Sequence, residues 1–169
     1  MQIKQFIPRD VCLSCKGCCR FLRADSVWSP CLLDEEIQDL LGKNIPAANI
    51  SINKKLLLVQ APDGQGYLCP FLKIKDNKCS IYNFRPFECQ LYPFLLNLRH
   101  GKIILTVDLN CPYVKEKLKS KEFKEYVDYL NEFLNSPAQL EIIKDNPHIL
   151  QTYEEVLEII ELSPPDGAK

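Results

Sequence analysis

The sequence predicts an α+β fold: a small cysteine-rich, metal-organised body with short strands, followed by a helical C-terminal third. Three observations carry that expectation. Nine cysteines stand against two histidines in 169 residues. Apolar runs of strand length, such as Leu56–Val59 and Ile103–Leu105, lie among turn residues in the first two thirds. Beyond Cys111-Pro112 the spacing becomes helical, through Val114, Leu118, Tyr126, Val127, Leu130, Phe133 and Leu134. The composition is otherwise that of an ordinary folded chain, 46% hydrophobic and 25% charged, which excludes collagenous, disordered and low-complexity classes. The expected division is a cysteine-cluster domain over residues 1–115 and a helical extension packed on it over 116–169.

Taken in order, residues 8–24 form a compact cysteine knuckle, Cys12-Leu-Ser-Cys15-Lys-Gly-Cys18-Cys19-Arg20. A helix then starts at Ser29-Pro30 or at Asp34-Glu35-Glu36, where acidic side chains suit the positive end of the helix dipole. Ile37, Leu40 and Leu41 supply its apolar face, and Gly42 its expected stop. Leu56–Gln60 and Tyr67–Ile74 read as strands around the Pro62-Asp63-Gly64 turn, and Asp76-Asn77 turns the chain toward Cys79. Phe94–Arg99 and Lys102–Asp108 read as a hairpin around His100-Gly101. Ser136-Pro137 and Asn146-Pro147 each mark a helix start, the last helix placing Ile149, Tyr153, Val156, Leu157 and Ile160 on one side. Ser163 to Lys169 reads as a frayed tail.

Charge and cysteine parity narrow the function. A net charge of −1 gives no electrostatic reason to bind nucleic acid or an anionic membrane. The first ten residues carry no apolar signal-peptide core, and no stretch reaches the length of a membrane span, so a cytoplasmic chain is expected. An odd number of cysteines leaves one over in any full disulfide pairing. In a reducing compartment, clustered cysteines serve more often as metal ligands or redox groups.

Cys12-x₂-Cys15-x₂-Cys18-Cys19 is the specific signal. Thiolates holding a metal must converge to about 2.3 Å from one centre, and an x₂ spacing brings two sulfurs to one side of a tight turn. Ser14 and Gly17 are small enough to let that turn close. The adjacent pair Cys18-Cys19 points its side chains apart in any regular backbone. A polynuclear cluster or two neighbouring sites accommodates such a pair more easily than one ion. Downstream stand Cys69-Pro-Phe-Leu, then Cys79-Ser-Ile-Tyr82-Asn-Phe-Arg85-Pro86-Phe-Glu-Cys89-Gln-Leu-Tyr92-Pro-Phe, then Cys111-Pro112. Neither His100 nor His148 adjoins a cysteine group, so any metal site is essentially all-sulfur, which suits iron–sulfur clusters or zinc.

These combined motifs resemble the YkgJ-type cysteine-cluster family, the CxxCxxCC zinc- or iron-chelating domain, over roughly residues 10–115. The resemblance implies metal or cluster binding by Cys12, Cys15, Cys18, Cys19, Cys69, Cys79, Cys89 and Cys111. The family's usual Cys-Pro-Gly is Cys111-Pro112-Tyr113 here, and Cys31 falls outside the pattern as a buried bystander thiol. A similar cluster accompanies flagellin lysine-N-methylases, but no recognisable S-adenosylmethionine site is present in this chain.

Between the expected ligands, Arg85 either offsets thiolate charge or pairs with a carboxylate such as Glu88. Lys16, Arg20 and Arg23 read as a solvated basic rim, with charge balancing as the alternative. The interleaved aromatics Tyr67, Phe71, Tyr82, Phe84, Phe87, Tyr92 and Phe94 read as core packing around a metal site. No phosphate-binding glycine loop and no Ser/His/Asp set is present. The favoured function is an iron–sulfur protein, with a cluster of the 4Fe-4S kind, acting as an oxidoreductase or electron carrier with a redox partner protein. The alternative is a zinc-organised structural or binding module without catalytic activity.

Overall fold

The computed structural model describes residues 3–15 and 17–163. They fall into two compact units, one of residues 3 and 7–90 and the other of residues 4–6 and 91–163. Helices and short antiparallel strands mix in both, which is the α+β class expected. The tail expected from Ser163 onward lies, from residue 164, outside the described residues, as does Lys16. No helix among the described residues is long and apolar enough to cross a membrane.

The first unit runs α1 (Arg9–Cys15), β1 (Arg20–Phe21), α2 (Asp34–Gly42), β2 (Val59–Gln60), β3 (Tyr67–Leu68), β4 (Leu72–Lys73), β5 (Lys78–Cys79) and α3 (Phe87–Leu91). β3 is the middle strand of an antiparallel β1-β3-β2 sheet, and β4 pairs with β5. The long strand expected over 67–74 is interrupted after Leu68. Pro70 has no N–H to give a ladder, and Leu72 donates to the Cys69 carbonyl (3.0 Å) to turn the chain into β4.

α2 starts where its acidic residues stand, and Glu36 accepts from the Leu33 N–H (2.9 Å). Its stop differs from the expected one. Gly42 is still helical, and Asn44 takes the left-handed conformation (φ 60°) instead. Asn44 N–H then bonds Leu41 O and Ile45 N–H bonds Leu40 O, a Schellman closure that an asparagine tolerates. The core of this unit gathers Phe21, Leu32, Leu40, Leu56, Cys69, Phe71 and Ile81, with Trp28 half-buried against them.

In the second unit, β6 (Phe94–Arg99) and β7 (Lys102–Val107) form the expected hairpin, with His100 (φ 51°) and Gly101 (φ 77°) making its two-residue turn. Then follow α4 (Pro112–Lys117), α5 (Lys121–Leu134) and α6 (Pro137–Asp145). Tyr126, Leu130 and Leu134 bury one face of α5, and Phe6 packs among Phe94, Phe123 and Tyr126.

The helix expected from Asn146-Pro147 is not formed. Residues 147–149 make one 3₁₀ turn, and β8 (Leu157–Glu161) adds to the edge of β7. Glu155 adopts φ 57°, which ends helical propagation, and the open edge of β7 offers β8 an antiparallel ladder, irregular between Leu105 and Thr106. Asn97, fully buried in β6, fixes the intervening loop by donating to Tyr153 O (2.9 Å) and accepting from Tyr153 N–H (3.3 Å).

One glycine is demanded by close approach. At Gly66 (φ 88°) a Cβ would lie 2.6 Å from the Phe21 carbonyl oxygen, whereas at Gly42 it would meet nothing. Gly66→Ala is expected to cost about 2–3 kcal/mol in urea denaturation, and Gly42→Ala to be neutral or to stabilise by up to ~1 kcal/mol.

Candidate metal centre

The β1–β3 register brings the first two sulfurs together. Arg20 lies opposite Leu68 and Phe21 opposite Tyr67, so Cys19 and Cys69 meet just beyond the end of the ladder. Their backbones are joined by the Cys69 N–H to Cys19 O bond (3.0 Å), and their thiols by a side-chain hydrogen bond. Cys79 ends β5 opposite Leu72, and Cys89 sits in the middle of α3. The charge on Cys19 reaches both of these, and that on Cys89 reaches Cys69. Cys19, Cys69, Cys79 and Cys89 are thus a tetrad of electrostatically linked thiols in the first unit, with Cys19 and Cys69 in direct contact.

Their proton affinities are divided. The hydrogen bond from Cys69 holds Cys19 down at about 7, against the opposing effect of burial, with Arg20 and Arg85 adding positive charge. Cys69 is pushed up as the donor of that bond and by burial. Burial raises Cys79, and raises Cys89 well above the ordinary thiol value. One sulfur is therefore poised as a thiolate among three that keep their protons near neutrality. Among the described residues, no three of His, Cys, Asp or Glu are already set around a point as ion ligands. The Cys19–Cys69 pair is the close contact, linked through a shared proton, and a cation would replace that proton between the same two sulfurs.

Arg85 does not pair with Glu88. Its guanidinium lies 4.2 Å from the centre of the Tyr82 ring, and its charge lowers Cys19 and Cys79. Arg20 also acts on Cys19, while donating to Asn77 Oδ1 (2.8 Å). Both arginines therefore offset thiolate charge, whereas Arg23 pairs with Asp25 at the surface. Phe71 and Phe87 are core residues as expected, but Phe84 is exposed.

The other sulfurs are placed differently. Cys12 and Cys15 lie on α1 and are exposed, as is Cys18 in the turn that follows. Cys18 is exposed, whereas Cys19, next to it in the turn, is partly buried and bonded to Cys69. Cys111 is buried in the second unit, as the residue that precedes α4. Cys31 is buried beside Lys55, and desolvation pushes its thiol up to about 12.

Two carboxylates of this unit were not among the expected site residues. Glu36 accepts from the N–H groups of Leu33 and Phe87, and Glu88 accepts from Cys31 N–H (2.7 Å). Burial raises Glu36 to about 7 and Glu88 to about 8. Nothing in their spacing announces this, because a Glu at a helix start reads as a solvated dipole partner.

Both groups ionise near 4.5 when unfolded, so between that value and about 8 the folded chain binds more protons than the unfolded one. Their contribution is fully present below pH 4.5 and is lost as pH rises through about 7 and 8. Urea denaturation of the metal-free chain should therefore show stability falling from about pH 4.5 to about 7, above which the lowered Cys19 thiol offsets the remaining loss at Glu88. Glu88→Gln, which keeps an acceptor for Cys31 N–H, should make that fall shallower.

Two comparisons place the chain among known proteins. A family model described as "CxxCxxCC: Putative zinc- or iron-chelating domain" matches residues 11–129. Uncharacterized protein MJ0661 of Methanocaldococcus jannaschii is 46% identical over 44 residues, which are 26% of this chain. That alignment spans only about a quarter (24%) of the relative's length. No solved structure matches. With the family model covering well over half of the sequence and all of the tetrad, the chain belongs to the CxxCxxCC zinc- or iron-chelating domain family and is a metal-binding protein.

Proposed function

We propose that the protein carries an iron–sulfur cluster, of the 4Fe-4S kind, on an all-cysteine site and serves electron transfer or supports a redox enzyme. The observation that carries this reading is the Cys19, Cys69, Cys79, Cys89 tetrad with Arg20 and Arg85 acting on it. The tetrad consists of cysteines alone, the donor set that selects soft metals. These four cysteines would hold the group, and Cys12, Cys15 and Cys18 are the further thiols of the motif in the same unit. When bound, such a cluster supplies one-electron redox chemistry. The chain's own part is to exclude water with Phe71, Ile81 and Phe87, and to hold positive charge at Arg20 and Arg85. In this reading it works in the cytoplasm and exchanges electrons with a partner protein.

A zinc-organised module is the second reading, and a specific observation favours it. Turning Cys18 outward leaves four sulfurs in the tetrad, the number that closes a structural zinc site. Anaerobic purification with iron, zinc and acid-labile sulfide analysis separates the two. Iron with sulfide, and a visible absorption that bleaches on reduction, is the expected result. Stoichiometric zinc without sulfide would give the site to the second reading.

Arg85 supplies a finer check. Its charge favours the more negative, reduced state, so Arg85→Ala should shift the reduction potential to a more negative value and Arg85→Lys should restore most of it. Protein-film voltammetry reads both.

A further inference from the structure

Three thiols stand on an exposed knuckle, and the contacts that hold this knuckle in place come from the segment that bears Cys79. Arg9, the first residue of α1, places its guanidinium 4.8 Å from the centre of the Tyr82 ring, the ring that Arg85 also covers at 4.2 Å. Two cations would repel each other, and the electron-rich ring between their backbones is what lets both settle there. At the other end of α1, Asn77 Nδ2 donates to Leu13 O (2.7 Å), while Asn77 Oδ1 accepts from Arg20 (2.8 Å). Asn77 is the left-handed residue (φ 53°) of the β4–β5 turn, two positions before Cys79. The helix is thus pinned at both ends. It buries no residue of its own, so packing contributes little to holding it.

We propose that Tyr82 and Asn77 are positioning residues. They clamp α1 so that the exposed Cys12 and Cys15 are held in place as ligands when metal enters. Each clamp shares a partner with the tetrad: Arg85, on Tyr82, acts on Cys19 and Cys79, and Arg20, on Asn77, acts on Cys19. The inference rests on the metal-binding reading for what the clamp is for, but not for whether it exists.

The test uses the full chain, metal-free and with zinc ion as the probe, in four forms: wild type, Tyr82→Phe, Tyr82→Leu, and Tyr82→Leu with Asn77→Gly. Glycine keeps the left-handed turn at 77 while removing the side chain. In the metal-free protein, amide exchange across residues 10–15 should rise at least about fivefold in the double variant, with Tyr82→Phe like wild type and the β1–β3 amides unchanged. With zinc, alkylation mapping should show Cys12 and Cys15 protected in wild type. In the double variant that protection should drop about tenfold while Cys19, Cys69, Cys79 and Cys89 stay protected.

Unchanged exchange at 10–15 would overturn the clamp. So would a rise spread over the whole first unit, because the two residues would then hold the fold and not the knuckle. Faster exchange with undiminished zinc protection would overturn the positioning role. Zinc that protects no cysteine in wild type would instead defeat the metal-binding reading, and the exchange contrast would still decide the clamp.

Discussion

The register between β1 and β3, with Arg20 opposite Leu68, decides where two sulfurs meet, and the chemistry of the first unit depends on it. A slip of one residue would turn Cys19 to the opposite face and leave Cys69 alone in the core. The strands are too short to fix that register by side-chain alternation. It is fixed by a turn and a close approach. Ala61 N–H bonds Gly66 O at the base of the β2–β3 connection (3.0 Å), and Gly66 lets the Phe21 backbone pass where a Cβ could not fit. Gly66, three residues before Cys69, therefore contributes to the geometry of the thiol pair together with the Cys69 N–H to Cys19 O bond.

Charge explains why the surroundings of this pair are arranged as they are. Cys79, Cys89, Glu36 and Glu88 hold their protons more tightly than usual because each would otherwise put an anion into a desolvated region, and Cys69 does so first as the donor of its hydrogen bond to Cys19 and then through burial. Arg20 and Arg85 offset one negative charge on Cys19 but not several. A cation between the sulfurs would supply the missing positive charge and release their protons, so metal affinity in such a site must rise with pH. Glu36 and Glu88 stay engaged in backbone hydrogen bonds of α2, α3 and Cys31, which places them in the scaffold around the tetrad.

The motif residues were legible in the sequence because cysteine spacing is short-range information. The β6–β7 hairpin and the starts of α2 and α6 were legible for the same reason, each being announced by local turn or cap chemistry, and α5 by its helical spacing. What failed to show was long-range. The helical spacing of Ile149, Tyr153 and Ile160 gave no hint of the free edge of β7, and tertiary pairing overrode it. Asn44 replaced Gly42 as the helix stop because either residue can adopt the left-handed turn, and only the Schellman bonds distinguish them. The even choice at Arg85, thiolate or Glu88, turned on whether Glu88 had a nearer partner, and the Cys31 N–H lies far away in sequence.

The division of Cys18 from Cys19 carries the last step. A site that exchanges electrons, as proposed for this one, would have to shield its sulfurs from water and yet lie within reach of a partner's surface. Burying all of the motif cysteines would meet the first demand and fail the second. The adjacent pair meets both in two residues, with Cys19 partly buried and Cys18 exposed. The sulfurs of α1 extend that outward set along an exposed helix. An isolated helix of this length is unstable in water, so its place has to be enforced from outside. Tyr82 and Asn77 supply that restraint from the segments that carry the inward set, which ties the position of the surface thiols to the residues flanking the buried ones.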